Sequence, residues 1–116
     1  MSLVQSTQAV LESALTGAMD RQTVLTSDLA NADTPGFQPR DVDFEDQLTA
    51  AMQAGTPASQ VNYQSAASTA LQSTGGVGVN TDQVSADIAE NGLEYQAITQ
   101  VMAANASIAQ YAMETQ

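Results

Sequence analysis

Between Asp41 and Asp46 the chain reads DVDFED, four carboxylates in six residues. Oxygen ligands at that density invite calcium, and paired carboxylates can share general acid and base work. The spacing serves neither. In a calcium loop begun at Asp41 the sixth position should be the glycine of a sharp turn and is Asp46; the twelfth should be a bidentate glutamate and is Met52. The acids sit close together on a loop without an aromatic pocket to hold one of them protonated. Helix capping and a solvated acidic turn account for them. Elsewhere there is no P-loop, no G-x-S-x-G and no G-x-G-x-x-G, and the GGVG run at residues 75–78 is flanked by polar coil rather than by a strand and a helix. With neither cysteine nor histidine, the 116-residue chain has no thiol nucleophile, no imidazole base and no disulfide, and it lacks the usual zinc ligands. The sequence predicts no enzyme, no cofactor and no metal site.

Charge narrows the partners. Thirteen acids face two arginines, Arg21 and Arg40, for a formal charge of -11. Nucleic acid and anionic membranes need a basic footprint, so neither is expected as a partner. No stretch reaches 18 apolar residues, which predicts no direct membrane insertion. The opening MSLVQSTQAV has no basic region and no continuous apolar run, so no cleavable signal peptide is expected. Each arginine reads either as a solvated or locally paired side chain or as a pair with another subunit, Arg40 being the stronger candidate for the second.

The elements around the acidic loop are helical. Over residues 6–32, Leu11, Leu15, Ala18, Leu25, Leu29 and Ala32 follow a 4/3 spacing interrupted only by Gln22. That is a coiled-coil stripe on one long helix of roughly 40 Å. Ser6 or Thr7 can cap it. Gly17 falls inside it, either tolerated or marking a close approach. The helix should stop near Asn31, because Thr34 precedes Pro35, and Pro35-Gly36 suits the centre of a type II turn. Asp41 or Asp43 can then cap a short second helix carrying Phe44, Leu48 and Met52 on one face. A last helix begins at Asn80, with Gln83 three residues on. Val84, Ile88, Tyr95, Ile98, Met102, Ala109 and Ala112 form its stripe, with polar Asn91 and Asn105 on the same face. It can run to Met113. Its uncharged second half suits burial against several helices.

Between Leu48 and Thr81 there is no charge, and Gly, Ser, Thr, Gln and Ala dominate. This reads as a flexible connection with weak pieces of structure around residues 61–63 and 66–71. The expected fold is all-α. Long N- and C-terminal helices pair as an antiparallel coiled coil, a short second helix follows the Pro-Gly loop, and the middle is flexible. The segments are 1–32, 33–53, 54–79 and 80–116, in one domain. A long connection poor in core residues points to terminal helices completed by other subunits.

Residues 25–48, LTSDLANADTPGFQPRDVDFEDQL, resemble the signature of flagellar axial proteins, in which a helix ending in an Asn-Ile/Leu-Ala-Asn run is followed by a Thr-x-Gly-Phe/Tyr turn. Here Asp28-Leu29-Ala30-Asn31 and Thr34-Pro35-Gly36-Phe37 stand in those places, with Asp28 replacing the first asparagine. The longer form ANADTPGFxxRDxDF is similar to the rod proteins of that family. The C-terminal stretch is similar to the family's MAENxLxYQ helix: Ala89-Glu90-Asn91, Leu93, Tyr95 and Gln96 match, and Gly92 departs from it.

The resemblance implies a structural subunit of the rod of the flagellar basal body. The rod is a hollow drive shaft that crosses the periplasm, transmits torque and forms the export channel. Implied partners are copies of the chain itself, other flagellar rod proteins, the adapter FliE and the flagellar type III export apparatus, through which the chain would pass unfolded. The subunit interface is then expected on the stripes, at Leu11, Leu15, Leu25 and Leu29 and at Ile88, Tyr95, Ile98 and Met102. The loop would add Asn31, Pro35, Gly36, Phe37, Arg40 and Phe44, the two phenylalanines as anchors in grooves on adjacent subunits. A rival reading is a small acidic helical adaptor or type III secreted effector acting as a soluble monomer or dimer.

Overall fold

The computed structural model describes residues 3–76 and 78–115; Met1, Ser2, Val77 of the GGVG run and Gln116 lie outside the described residues. Three helices carry the fold: α1, Leu3–Ala30, α2, Phe44–Gln53, and α3, Thr81–Glu114. Two residue pairs make the only sheet among the described residues, β1 (Arg40–Asp41) against β2 (Ala66–Ala67), antiparallel. Single 3-10 turns lie at Ala58–Gln60 and Thr69–Leu71.

α1 and α3 run antiparallel for most of their lengths, because Asn91 meets Ala18 and Asn105 meets Val4. The particle is accordingly long and thin, 61 × 27 × 16 Å. Local signals set the ends of these helices. Asn80 accepts from the Gln83 main-chain N–H at 3.1 Å, the N-cap its sequence predicts, and Asp43 accepts from Asp46 N–H to cap α2. α1 begins at Leu3, ahead of Ser6 and Thr7, so those two hydroxyls lie inside the helix rather than at its cap. At its other end the Ser27 carbonyl accepts twice from Asn31, from its main-chain N–H at 3.0 Å and from its side-chain amide at 2.9 Å.

Two apolar clusters line one side of the α1–α3 pair. The first gathers Ala18 of α1, Val42, Phe44 and Leu48 around α2, and Tyr63, with Ile98 of α3 packed on it. The second gathers Leu25, Leu71, Val79 and Val84, with Phe37 and Ile88 at its edge. The expectation that residues 54–79 are poor in core residues needs correction. The segment has little regular structure, yet Tyr63, Leu71 and Val79 are buried and supply both clusters. It is held by scattered main-chain bonds rather than by a helix or a full sheet. The Gln47 side chain receives the Gln64 N–H and donates to its carbonyl, both at 2.8 Å, as a neighbouring strand would. Asn80 N–H reaches the Leu71 carbonyl at 2.8 Å and closes a glycine-rich turn.

Candidate functional site

The signature loop leaves α1 through the turn its sequence predicts. Phe37 N–H bonds the Thr34 carbonyl at 3.2 Å, and Gly36 between them has φ of +77°, a conformation that costs glycine least. The Asn31 side chain ties this turn to the helix: its carbonyl oxygen accepts from the Thr34 hydroxyl at 3.1 Å. Pro35 and Gly36 stand exposed at the tip. Phe37 folds back half-buried against the second cluster.

Phe44 goes inward rather than outward. It is 3% exposed, meets the Tyr63 ring edge-on at 6.5 Å between centroids, and lies directly on Gly17 of α1. The close approach at Gly17 is therefore made by α2 of the same chain. Tyr63, which periodicity gives no reason to place in a core, is fixed by a 2.7 Å hydrogen bond between its hydroxyl and that of Ser13. Phe44 is thus placed in this chain's own core and not on a surface open to a neighbour.

Both arginines find partners within the chain. Arg40 is satisfied within the loop region, donating to the Ser65 hydroxyl at 3.0 Å and the Ser65 carbonyl at 2.9 Å. Arg21 is the partly buried cation. Its guanidinium bonds both oxygens of Asp41, at 2.9 and 3.2 Å, and reaches Asp87 of α3 at 3.5 Å, so one side chain joins α1, β1 and α3. Burial alone would lower the Arg21 pKa; the hydrogen bond and charge of Asp41, with Asp87 and Glu94, more than offset it and raise it. The sequence carried one clue, that Arg21 is the only cation on either long helix.

A cleft of about 530 Å³ opens beside this ion pair, lined in part by Asp41, Glu45, Gln64, Glu90 and Glu94. Burial, then a hydrogen bond and the like charge of Glu45, push Glu94 up to about 7. Among the described residues no group of three or more acidic side chains is arranged to hold a metal ion. No helix is long and apolar enough to cross a membrane.

Asp28, at the position where the signature has asparagine, is 1% exposed. One carboxylate oxygen accepts from Arg40 N–H at 3.0 Å; the other has no partner among the described residues. Burial raises its pKa above the ordinary aspartate value, against the lowering effect of the Arg40 N–H.

The stripe residues divide between the seam and the outside. Leu25 is buried; Leu11, Leu15, Ile88, Ile98 and Met102 are half-buried where the helices meet, while Leu29 and Tyr95 are largely exposed. α3 carries a second apolar row that none of the described residues covers. Val101, Ile108 and Tyr111 are 51%, 59% and 69% exposed, with Ala97 and Ala104 completing a 4/3 spacing. Two coiled-coil faces on one helix can hold two different neighbours.

Residues 9–38, which span most of α1 and the turn after it, match the family described as Flagella basal body rod protein. The chain is similar to the Flagellar basal body rod protein FlgB of Yersinia enterocolitica, 52% identical over 38% of this chain and 32% of that one, a match confined to about a third of the relative's length. Longer matches are to the proteins of the same description in Salmonella typhimurium, 31% identical over 73% of this chain and 76% of that one, and Bacillus subtilis, 32% identical over 88% of each. These descriptions give no support to the rival reading of an adaptor or secreted effector. Over the signature turn, the paired terminal helices and nearly the whole length of its Bacillus relative, the chain belongs to the FlgB family of flagellar basal body rod proteins.

Proposed function

We propose that the chain is a structural subunit of the rod, in the proximal part of the hollow shaft that transmits torque and surrounds the export channel. The observation that carries this reading is the bare second stripe on α3. A helix already paired with α1 still presents Val101, Ile108 and Tyr111 in heptad spacing. In a tube wall such a face packs against the helix of an adjacent subunit. The acidic surface delays self-association until such contacts form, and the few cations are used internally. On this reading the neighbours are copies of the chain, the other rod proteins and the adapter FliE. Delivery is through the flagellar type III export apparatus to the periplasmic rod. Among the loop residues, Pro35 and Gly36 offer the exposed contact, while Phe37 and Phe44 brace the loop from inside.

The test is deletion of the gene in its host, with complementation by the wild-type chain and by V101Q/I108Q. Loss of motility and of rods in isolated basal bodies, restored by the wild-type chain and not by the variant, is the expected result. Normal rods in the deletion strain would overturn the reading.

A further inference from the structure

We propose that Asn91 and Asn105 set the register of the α1–α3 pair, acting as two matched polar layers in an otherwise apolar seam. The Asn91 amide donates to the Ala18 carbonyl at 2.9 Å and to the Gln22 side-chain carbonyl at 2.8 Å. The Asn105 amide repeats the arrangement with the Val4 carbonyl at 3.2 Å and the Gln8 side-chain carbonyl at 2.9 Å. The asparagines are fourteen residues apart, and so are Val4 from Ala18 and Gln8 from Gln22. One unit of asparagine, main-chain carbonyl and glutamine therefore recurs every two heptads on both helices, in opposite chain directions.

The layers between are apolar. One heptad beyond Asn91 stands Ile98, and the corresponding α1 positions are Leu11 and Leu15; one heptad before it stands Val84, with Leu25 and Leu29 opposite in the same count. A slip of one heptad in either direction would keep leucines and isoleucines in the seam, so the apolar stripe alone does not forbid it. Slipped one way, Asn91 meets Leu25 and Leu29 and Asn105 meets Leu11 and Leu15; slipped the other way, Asn91 meets Leu11 and Leu15 while Asn105 runs past the start of α1, and in neither register does a glutamine take the second amide proton. Gln8 and Gln22 would meanwhile face an apolar side chain. Burying such groups unpaired is unfavourable, which is how a polar residue in a coiled-coil seam selects register at the expense of stability. Asn91 bears that expense visibly: it is 1% exposed, and its own side-chain carbonyl oxygen has no partner among the described residues. A residue placed there for packing alone would be apolar.

Register matters because α3 carries the outer row. A one-heptad slip would move Val101, Ile108 and Tyr111 by about 10 Å relative to α1 and the loop that follows it.

The absence of cysteine makes register directly measurable. Spin labels on cysteines at the exposed positions Glu12 and Gln100, in the full chain diluted into unlabelled protein, report the α1–α3 alignment by pulsed electron resonance. The parent should give one narrow distance distribution. N91L/N105L should keep its helical circular dichroism but add a population from chains slipped by about 10 Å. Adding L15Q/I98N together with Q8L/Q22L to that variant leaves one matched polar layer, at a new height, and should return a single distribution. A packing role alone would shift the melting temperature and leave the distances alone. A single unchanged distribution in N91L/N105L, failure of L15Q/I98N with Q8L/Q22L to narrow it, or loss of helix in the leucine variant would each overturn the proposal.

Discussion

A methyl group placed on Gly17 would lie 2.5 Å from the Cβ of Phe44. That separation is closer than side chains pack, so α2 can rest on α1 only where α1 has no side chain. The relationship fixes the position at which the acidic loop, capped by Asp43, meets the long helices.

Gly17→Ala separates two opposing effects. Helix propensity favours alanine by about 1 kcal/mol, whereas overpacking typically costs about 1–3 kcal/mol. Because Phe44 is held by Tyr63 and Leu48 it has little room to withdraw, and a net loss of stability is expected in urea unfolding. In F44G, which removes the Cβ that would be struck, the same change should be neutral or favourable, a non-additive pair.

Asp28→Asn should stabilise the chain at pH 7, by about 1 kcal/mol, because it removes a buried charge while keeping the bond from Arg40 N–H. Burial raises the Asp28 pKa, so the folded state prefers the protonated form. The advantage of asparagine should therefore shrink as pH falls through that raised pKa, where the aspartate is neutral too. Equal stability of the two chains at every pH would contradict this.

Glu94 predicts a pH dependence of its own. Its ordinary value of 4.5 is pushed up to about 7 in the folded chain, beside Glu45, Glu90 and Arg21. The folded state thus binds more protons than the unfolded state between these values, and stability falls as pH rises through that window. Glu94→Gln should flatten this slope and be more stable than the parent above pH 7. Denaturant midpoints from pH 4.5 to 8 measure it.

The arginines should differ sharply. Arg21→Met leaves Asp41 and Asp87 facing each other without a cation, in a region less exposed than a surface pair, and should cost about 1–3 kcal/mol. Arg21→Lys should recover only part, since an ammonium cannot hold both oxygens of Asp41. Arg40→Ala removes contacts to Ser65 at the surface and should change stability by about 0.5 kcal/mol or less.

V101Q/I108Q should leave the isolated chain nearly unchanged, within about 0.5 kcal/mol, since both residues are exposed and glutamine suits a helix. Its defect should appear only in assembly, as loss of the chain from isolated basal bodies.

Much of this architecture is written locally. The Asn80–Gln83 and Asp43–Asp46 caps, the Thr34–Phe37 turn and the two heptad stripes each involve residues within one or two turns of one another. Bonds of such short span form in the same way whatever the rest of the chain does, so residue type and spacing reveal them. The sequence by itself therefore determined the long helices, where α1 stops and α3 starts, their seam-forming faces and the family signature. Only the tertiary structure decided which arginine is paired, why Gly17 is glycine, and that Phe44 and Tyr63 face inward. It alone placed the uncharged middle segment in the core. Those outcomes join residues 20 to more than 70 positions apart, as Arg21 joins Asp41 and Asp87 and Asn91 joins Ala18. At such separations a side chain's partner is chosen by how whole elements pack, and no periodicity along the chain records that choice.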